Sequence, residues 1–155
     1  MSGYIMELRK LVGRRPLQQC GASVIVENEK GEILLQKRTD NGQWGYPGGS
    51  VELYEAVEEA AARELMEETG IVADRLELLG VFSGSRMAYV YPNGDQVSNV
   101  DVVFHCRAFH GQLRCQEGEV EALAFFPPDQ LPEPLFEVSK PALEKFCALR
   151  AGRDA

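Results

Sequence analysis

The stretch Gly49–Ile71, GSVELYEAVEEAAARELMEETGI, decides how the rest of the chain is read. From Glu55 to Thr69 it contains no Gly or Pro and consists mostly of Ala, Glu, Leu and Met. These residues lose little on entering a helix, so a helix is expected there, with Gly70 as its stop. At about 100° per residue, Val57, Ala60 and Ala61 make one apolar stripe, and continuing that stripe reaches Glu64, Glu67 and Glu68. Three carboxylates thus occupy positions where core residues belong. Like charges three and four residues apart oppose a helix by ~0.2–0.5 kcal/mol per pair in water, and by more under cover. Some positive charge has to compensate. A single side-chain cation cannot serve three carboxylates, whereas a hard divalent ion, Mg²⁺ or Mn²⁺, takes several oxygen ligands and is commonly shared with substrate phosphates. A calcium-binding EF-hand loop does not fit, because it needs Asp and Asn ligands at alternating positions.

Working outward, Trp44-Gly45-Tyr46-Pro47-Gly48-Gly49 forces a tight turn just before the helix, and its paired glycines let backbone approach a ligand. Two β-rich runs, Cys20–Glu27 and Glu32–Arg38, flank the turn sequence Asn28–Gly31 and are expected to form a hairpin that enters the site. Arg38 ends the second run, where a cation could meet phosphate, a base or the acidic helix; Trp44 reads as core. Beyond the helix, Arg75–Phe82 and Val97–Phe109 are expected strands, with a Tyr91–Asp95 turn between them. Tyr89 and Tyr91 are candidates to stack on a base. His105 and His110 fall on opposite strand faces and cannot share a metal. Leu123–Phe126 reads as a short buried strand, and Val138–Leu149 as a closing helix with a frayed tail after Arg150. Tyr4–Val12 has the spacing of a short amphipathic helix, a helical appendage within residues 1–15 whose apolar face would pack on a sheet or on a partner subunit.

The whole chain constrains the same reading. Its 155 residues, 45% of them apolar, suit one domain over 1–155 with a full core. The net charge is −8, and Gly49–Ile71 alone holds seven glutamates against one arginine. That balance argues against a broad nucleic-acid surface, though not against a small phosphorylated ligand. No apolar run is long enough for a bilayer span and no signal peptide opens the chain, so no membrane is involved and a cytoplasmic location is expected. Cys20, Cys106, Cys115 and Cys147 form no C-x-x-C pair and are expected as buried or half-buried reduced thiols.

The fixed residues Gly49, Glu55, Arg63, Glu64, Leu65, Glu67, Glu68, Gly70 and Ile71 follow the pattern G-x5-E-x7-R-E-U-x-E-E-x-G-U, with U apolar. This resembles the signature of the Nudix hydrolases, as do the W-x-x-P-G-G lead-in and an E-x-x-x-F-F-P-x-x-x-L-P ending. The resemblance implies an α/β fold, an α/β/α sandwich with a mixed β-sheet and a strand-loop-helix-loop catalytic motif. It further implies Mg²⁺-dependent hydrolysis of a nucleoside diphosphate derivative, with Glu64, Glu67, Glu68 and the Gly48 carbonyl as metal ligands. Arg63 and Glu55 would pair to orient the helix. Glu119 would join the site from a later loop, with Glu117 and Glu121 as rivals, and either Glu64 or Glu119 would serve as base. Arg38 and Tyr89 would contact a small nucleotide substrate, and a homodimer is in keeping with the family. The competing expectation is a nucleotide sensor of the same fold that binds without turnover.

Overall fold

The computed structural model describes residues 3–154. Its elements run α1 (Tyr4–Val12), β1 (Leu17–Val26), β2 (Ile33–Arg38), β3 (Trp44–Gly45), β4 (Gly48–Ser50), α2 (Val57–Thr69), β5 (Ile71–Phe82), β6 (Ala88–Val90), β7 (Gln96–Gly111), β8 (Val120–Phe126) and α3 (Lys140–Asp154). One sheet has the order β4-β1-β7-β5 with β6 also paired to β7, and the other has the order β3-β2-β8. The β1–β7 pairing is parallel and joins residues about 80 apart in the chain, Leu17 with Val97 through Val26 with Cys106. The other pairings are antiparallel.

Alternation along the strands sends neighbouring side chains to opposite faces. Val24, Val26, Leu34 and Phe104 join Ala60, Ala61 and Leu65 of α2 in one core. Ile25, Ile33, Leu35 and Val103 join Ala142, Leu143 and Phe146 of α3 in a second. The expected layering, with helices on either side of a mixed β structure, is what forms. Strand β1 is buried continuously from Gly21 to Val26 because both its faces are covered there, which suits its Val24-Ile25-Val26 run. Among the described residues, no helix is long and apolar enough to cross a membrane.

Several expectations need correction. The Asn28–Gly31 turn forms, with Asn28 Oδ1 accepting from the Lys30 and Glu32 N–H groups. The strands it joins do not make a hairpin, and only a Glu27–Ile33 bridge links them. A strand has two edges, and those of β1 are taken by β4 and β7, so β2 turns away to pair with β3 and β8. The Tyr91–Asp95 turn connects β6 to β7, and β8 is half-buried over most of its length. Helix α3 continues to Asp154 rather than fraying after Arg150.

Helix α1 forms where the spacing placed it, with Ile5, Leu8 and Val12 half-buried along one face. Tyr4, Met6 and Leu11 are exposed, Leu11 at 83%, while Arg9 is buried. The Arg9 guanidinium donates to the carbonyls of Gly13, Arg15 and Gln96, so a saturated cation docks this helix together with its half-buried apolar face. Cys106 is buried and Cys147 half-buried, whereas Cys20 and Cys115 are exposed; all four are free.

Candidate functional site

Helix α2 ends at Gly70, which takes a left-handed conformation (φ 79°) and returns its N–H to the Met66 carbonyl. Glu58 and Glu59 in the first turn suit the positive end of the helix dipole, but the last turn has no basic residue while Glu67 and Glu68 sit there, at the end that disfavours anions. Propensity built this helix, and its charges oppose it.

Burial sharpens the conflict. Glu64 is 5% exposed and Glu68 8%, whereas Glu67 points outward and is exposed. The sheltered face therefore carries two of the three carboxylates. Glu68 Oε1 accepts from the Gly48 N–H at 2.8 Å and Oε2 accepts from Gln36 Nε2 at 3.0 Å. Both donors are neutral. Burial is the main cause that pushes the Glu68 carboxyl up to about 8, and the neighbouring Glu64 charge adds to it. Burial likewise raises Glu64, with Glu67 and Glu119 contributing repulsion and Arg63 opposing.

The expected Arg63–Glu55 pair is bidentate: Arg63 Nε donates to Glu55 Oε2 at 2.8 Å and Nη2 to Oε1 at 2.9 Å. Its guanidinium also donates to the Ser50 carbonyl at 3.1 Å, tying α2 to β4. Held beside this arginine, Glu55 titrates below the usual carboxylate range. The same guanidinium reaches Glu64 at 2.9 Å and Glu67 at 3.5 Å. One arginine thus touches three acids and leaves Glu68 without a cation.

Strand β4 lies against β1 with Ser23 opposite Gly48 and Ala22 opposite Gly49, which brings the glycine pair over the acids. A Cβ on Gly48 would fall 2.0 Å from Ser23 Oγ, and one on Gly49 would fall 2.4 Å from the Glu64 carboxyl carbon. Close approach, not turn geometry, requires glycine at both positions. The Gly48 group seen at Glu68 is its N–H; the expected role of its carbonyl stays a proposal. Among the described residues, no three His, Cys, Asp or Glu side chains are grouped so as to hold one ion. The donor chemistry nonetheless fits a hard divalent cation: two buried carboxylates, with the charge of Glu68 met only by neutral donors, form an oxygen-rich site short of positive charge.

The other candidates are distributed around this face. The Glu119 charge reaches Glu64, and its backbone carbonyl accepts from the Thr39 N–H at 3.2 Å. Glu121 pairs with Lys37 at 3.7 Å, on a half-exposed surface. Arg38 is held by Asp40 through two bonds of 2.9 and 2.8 Å and lies 4.6 Å over the Phe136 ring, so it touches neither α2 nor bulk water alone. Tyr89 Oη accepts from Asn41 Nδ2 at 2.8 Å, and its ring packs edge-on against Tyr91 and Phe136. Trp44 packs edge-on against Phe126, as a core residue should. His105 and His110 sit apart, on Glu27 and Asp74 respectively.

Arg38, Tyr89, Gly48 and Gly49 line one cavity, together with residues that sequence reasoning did not single out: Gln36, Tyr46, Asn99, Asp101 and Phe136. Asp101, 8% exposed on β7, accepts from Ser23 Oγ at 2.8 Å and Tyr46 Oη at 2.9 Å. A lone acid in the apolar run Val97–Phe104 was the available signal.

A glycine-capped helix with buried acids, overlain by a glycine strand and flanked by an aromatic cavity, defines a class of phosphate-handling proteins, and comparison identifies which. The model of the NUDIX domain matches residues 17–146, and the chain belongs to that family. It is 35% identical over 123 residues to a MutT-like protein of Streptomyces ambofaciens, covering 79% of this chain and 73% of that one. It is 36% identical over 141 residues to the CTP pyrophosphohydrolase of Escherichia coli, covering 86% and 94%. A crystal structure of a MutT NUDIX hydrolase from Burkholderia pseudomallei superposes with a TM-score of 0.71 at 37% identity, covering 83% of this chain and 97% of that one.

Proposed function

We propose that residues 1–155 form a single Nudix domain, a cytoplasmic, Mg²⁺-dependent enzyme that hydrolyses the phosphoanhydride of a nucleoside diphosphate derivative, with Mn²⁺ as an alternative ion. The chain is a hydrolase acting on phosphorus anhydrides, as its relatives are named to be. One observation carries the metal requirement: Glu68 is buried beside Glu64, its hydrogen-bond donors are neutral and only the Arg38 charge reaches it, so its carboxyl is held at about 8 and gives up its proton readily only when a cation arrives.

In this reading Glu64, Glu67 and Glu68, with the Gly48 carbonyl, hold the ion. When bound, Mg²⁺ supplies charge neutralisation to the bridging phosphates and lowers the pKa of bound water. The chain does the remaining work. Arg63, anchored on Glu55 and the Ser50 carbonyl, holds α2 under β4 and keeps Glu64 in place. Gly48 and Gly49, carrying no side chain, let the β4 backbone lie directly against Ser23 and Glu64, beside the acids. Water attacks one phosphorus, the bridging P–O bond breaks, and a carboxylate takes the water's proton. Either Glu64, whose carboxyl feels the Glu119 charge, or Glu119 is the proposed acceptor in that transfer. Arg38 and Tyr89, which line the cavity, would contact the nucleoside.

The E. coli relative's name makes a nucleoside triphosphate the first compound to try. Phosphate and pyrophosphate release should be measured over nucleoside triphosphates and sugar- or adenosine-linked diphosphates, with and without Mg²⁺. Metal-dependent release is the expected result. Nucleotide binding with no release from any compound would overturn catalysis in favour of a sensor.

A further inference from the structure

The cavity beside the acidic helix has a wall and a floor of different chemistry. Tyr89, Phe136 and Met87 give it an aromatic and apolar wall, with Tyr89 and Phe136 ring centroids 4.9 Å apart and edge-on, so that each locks the other. Its floor is polar and buried. Asp101 can accept about four hydrogen bonds as a carboxylate, and the protein supplies one to each oxygen, from Ser23 and Tyr46. Gln36 Oε1 is buried and has no partner at all, in a residue only 4% exposed. Its nitrogen donates to Glu68. The Asn99 and Gln19 amide nitrogens likewise donate to protein, to the Met87 carbonyl and Ser50 Oγ. Among the described residues the floor therefore holds one unmet buried acceptor, Gln36 Oε1, beside a carboxylate with accepting capacity to spare. An unmet buried acceptor is costly, and a ligand bringing N–H groups would satisfy it.

We propose that this cavity takes the nucleobase and that Asp101 selects bases carrying an exocyclic amino group, accepting its hydrogen bond at the floor of the pocket. The reading rests on the nucleotide hydrolysis proposed above and adds the feature of the base that is read. A flat base lies against the Tyr89–Phe136 wall, which supplies contact area without discrimination. Discrimination comes from Asp101, where an amino group donates and an oxo group in the same position sets oxygen against oxygen. Burial raises the Asp101 carboxyl, in keeping with a site that lacks donors until a ligand enters.

Deamination pairs make the test direct, because CTP/UTP, ATP/ITP and GTP/XTP each exchange one amino group for one oxo group. In the pair containing the best substrate, kcat/KM of the wild-type protein with Mg²⁺ is expected to favour the amino member by at least ~10-fold. Asp101→Asn, which offers an N–H at the same place, should bring that ratio below about threefold. A purely structural loss would lower both members equally and leave the ratio unchanged. Equal rates within the wild-type pair, or preference for the oxo member, overturn the proposal whether or not the variant folds. Calorimetry with the matching nucleoside monophosphates, which have no anhydride, separates the two readings. Amino-selective binding without turnover of any triphosphate or linked diphosphate overturns hydrolysis alone, turnover without selectivity overturns base reading alone, and neither binding nor turnover overturns both.

Discussion

Two buried glutamates on opposite sides of the molecule are treated differently. Glu27, at the end of β1, has His105 Nε2 2.7 Å from one oxygen and Arg150 Nη1 3.0 Å from the other, with Arg107 at 4.0 Å. Arg150 also donates to the Gly31 carbonyl, fastening α3 to the turn after β1. Glu68 is as deeply buried and receives only an amide and a backbone N–H. The chain has cations available and directs them to Glu27, while on α2 a single arginine reaches Glu55, Glu64 and Glu67 but not Glu68. A carboxylate that closes its own account with protein cations serves the fold; one left short of charge is kept for something that binds.

The largest effect should come from Glu68→Gln. Removing the charge while keeping the shape should lower kcat by at least ~10²-fold in Mg²⁺. Because the ionised carboxylate is poorly solvated there, the melting temperature without metal should stay level or rise. Near-wild-type Mg²⁺-dependent turnover would show that Glu68 is not in the metal shell, and a large loss of stability would make the two glutamates alike.

The mirror experiment is Glu27→Gln. It leaves the His105 and Arg150 side chains short of a partner, so stability should fall by roughly 2–3 kcal/mol, while kcat changes less than about twofold. Denaturant unfolding read beside steady-state kinetics decides it. A variant as stable as wild type but inactive would place Glu27 in the catalytic machinery and erase the contrast.

Smaller, and most informative, is the pH dependence. Glu68 has its folded pKa raised to about 8 from an ordinary carboxylate value near 4.5, so between these limits the folded state holds a proton that the unfolded chain has released. Without metal its contribution to stability is therefore full below about pH 4.5 and is lost as pH rises towards 8. Mg²⁺ competes with that proton, so metal affinity should tighten from pH 6 to 8 and level off above. Melting temperatures in EDTA and in millimolar Mg²⁺ should diverge as pH increases, by an amount set by the ratio of free ion to Kd. A Mg²⁺ increment that does not vary with pH, or that persists in Glu68→Gln, would remove Glu68 from the linkage.

What the sequence revealed follows from range. Helix α2 and its Gly70 stop are local, written in a 3.6-residue period, while the Arg63–Glu55 pair came from the family resemblance; the structure has all three. The sheltered acids were legible by the same period, but the outward turn of Glu67 was not, because a stripe drawn at 100° has no sharp edge and neighbouring packing sets where cover stops. Asp101, Tyr46, Ser23 and Gln36 were invisible as a group. Each is one polar residue on its own element, and only strand register brings Ser23 to Asp101 across 78 positions. The burial of Arg9 on α1 escaped for a related reason: three carbonyls that hold it lie outside the helix, one of them on β7. The false hairpin came from a correct turn, since turn chemistry says nothing about which edges of β1 are already occupied.

The parallel alignment of β1 with β7 has a consequence for how activity arises. Ser23 and the glycine strand come from the first third of the chain, and Asp101 from a strand that starts at Gln96. Closing a loop of that size delays the contact until much of the intervening polypeptide is arranged, as in folds with high contact order. A ribosome-bound or protease-trimmed product that stops short of the seventh strand would therefore carry the complete acidic helix and still have no pocket beside it, so catalytic competence should switch on late and all at once.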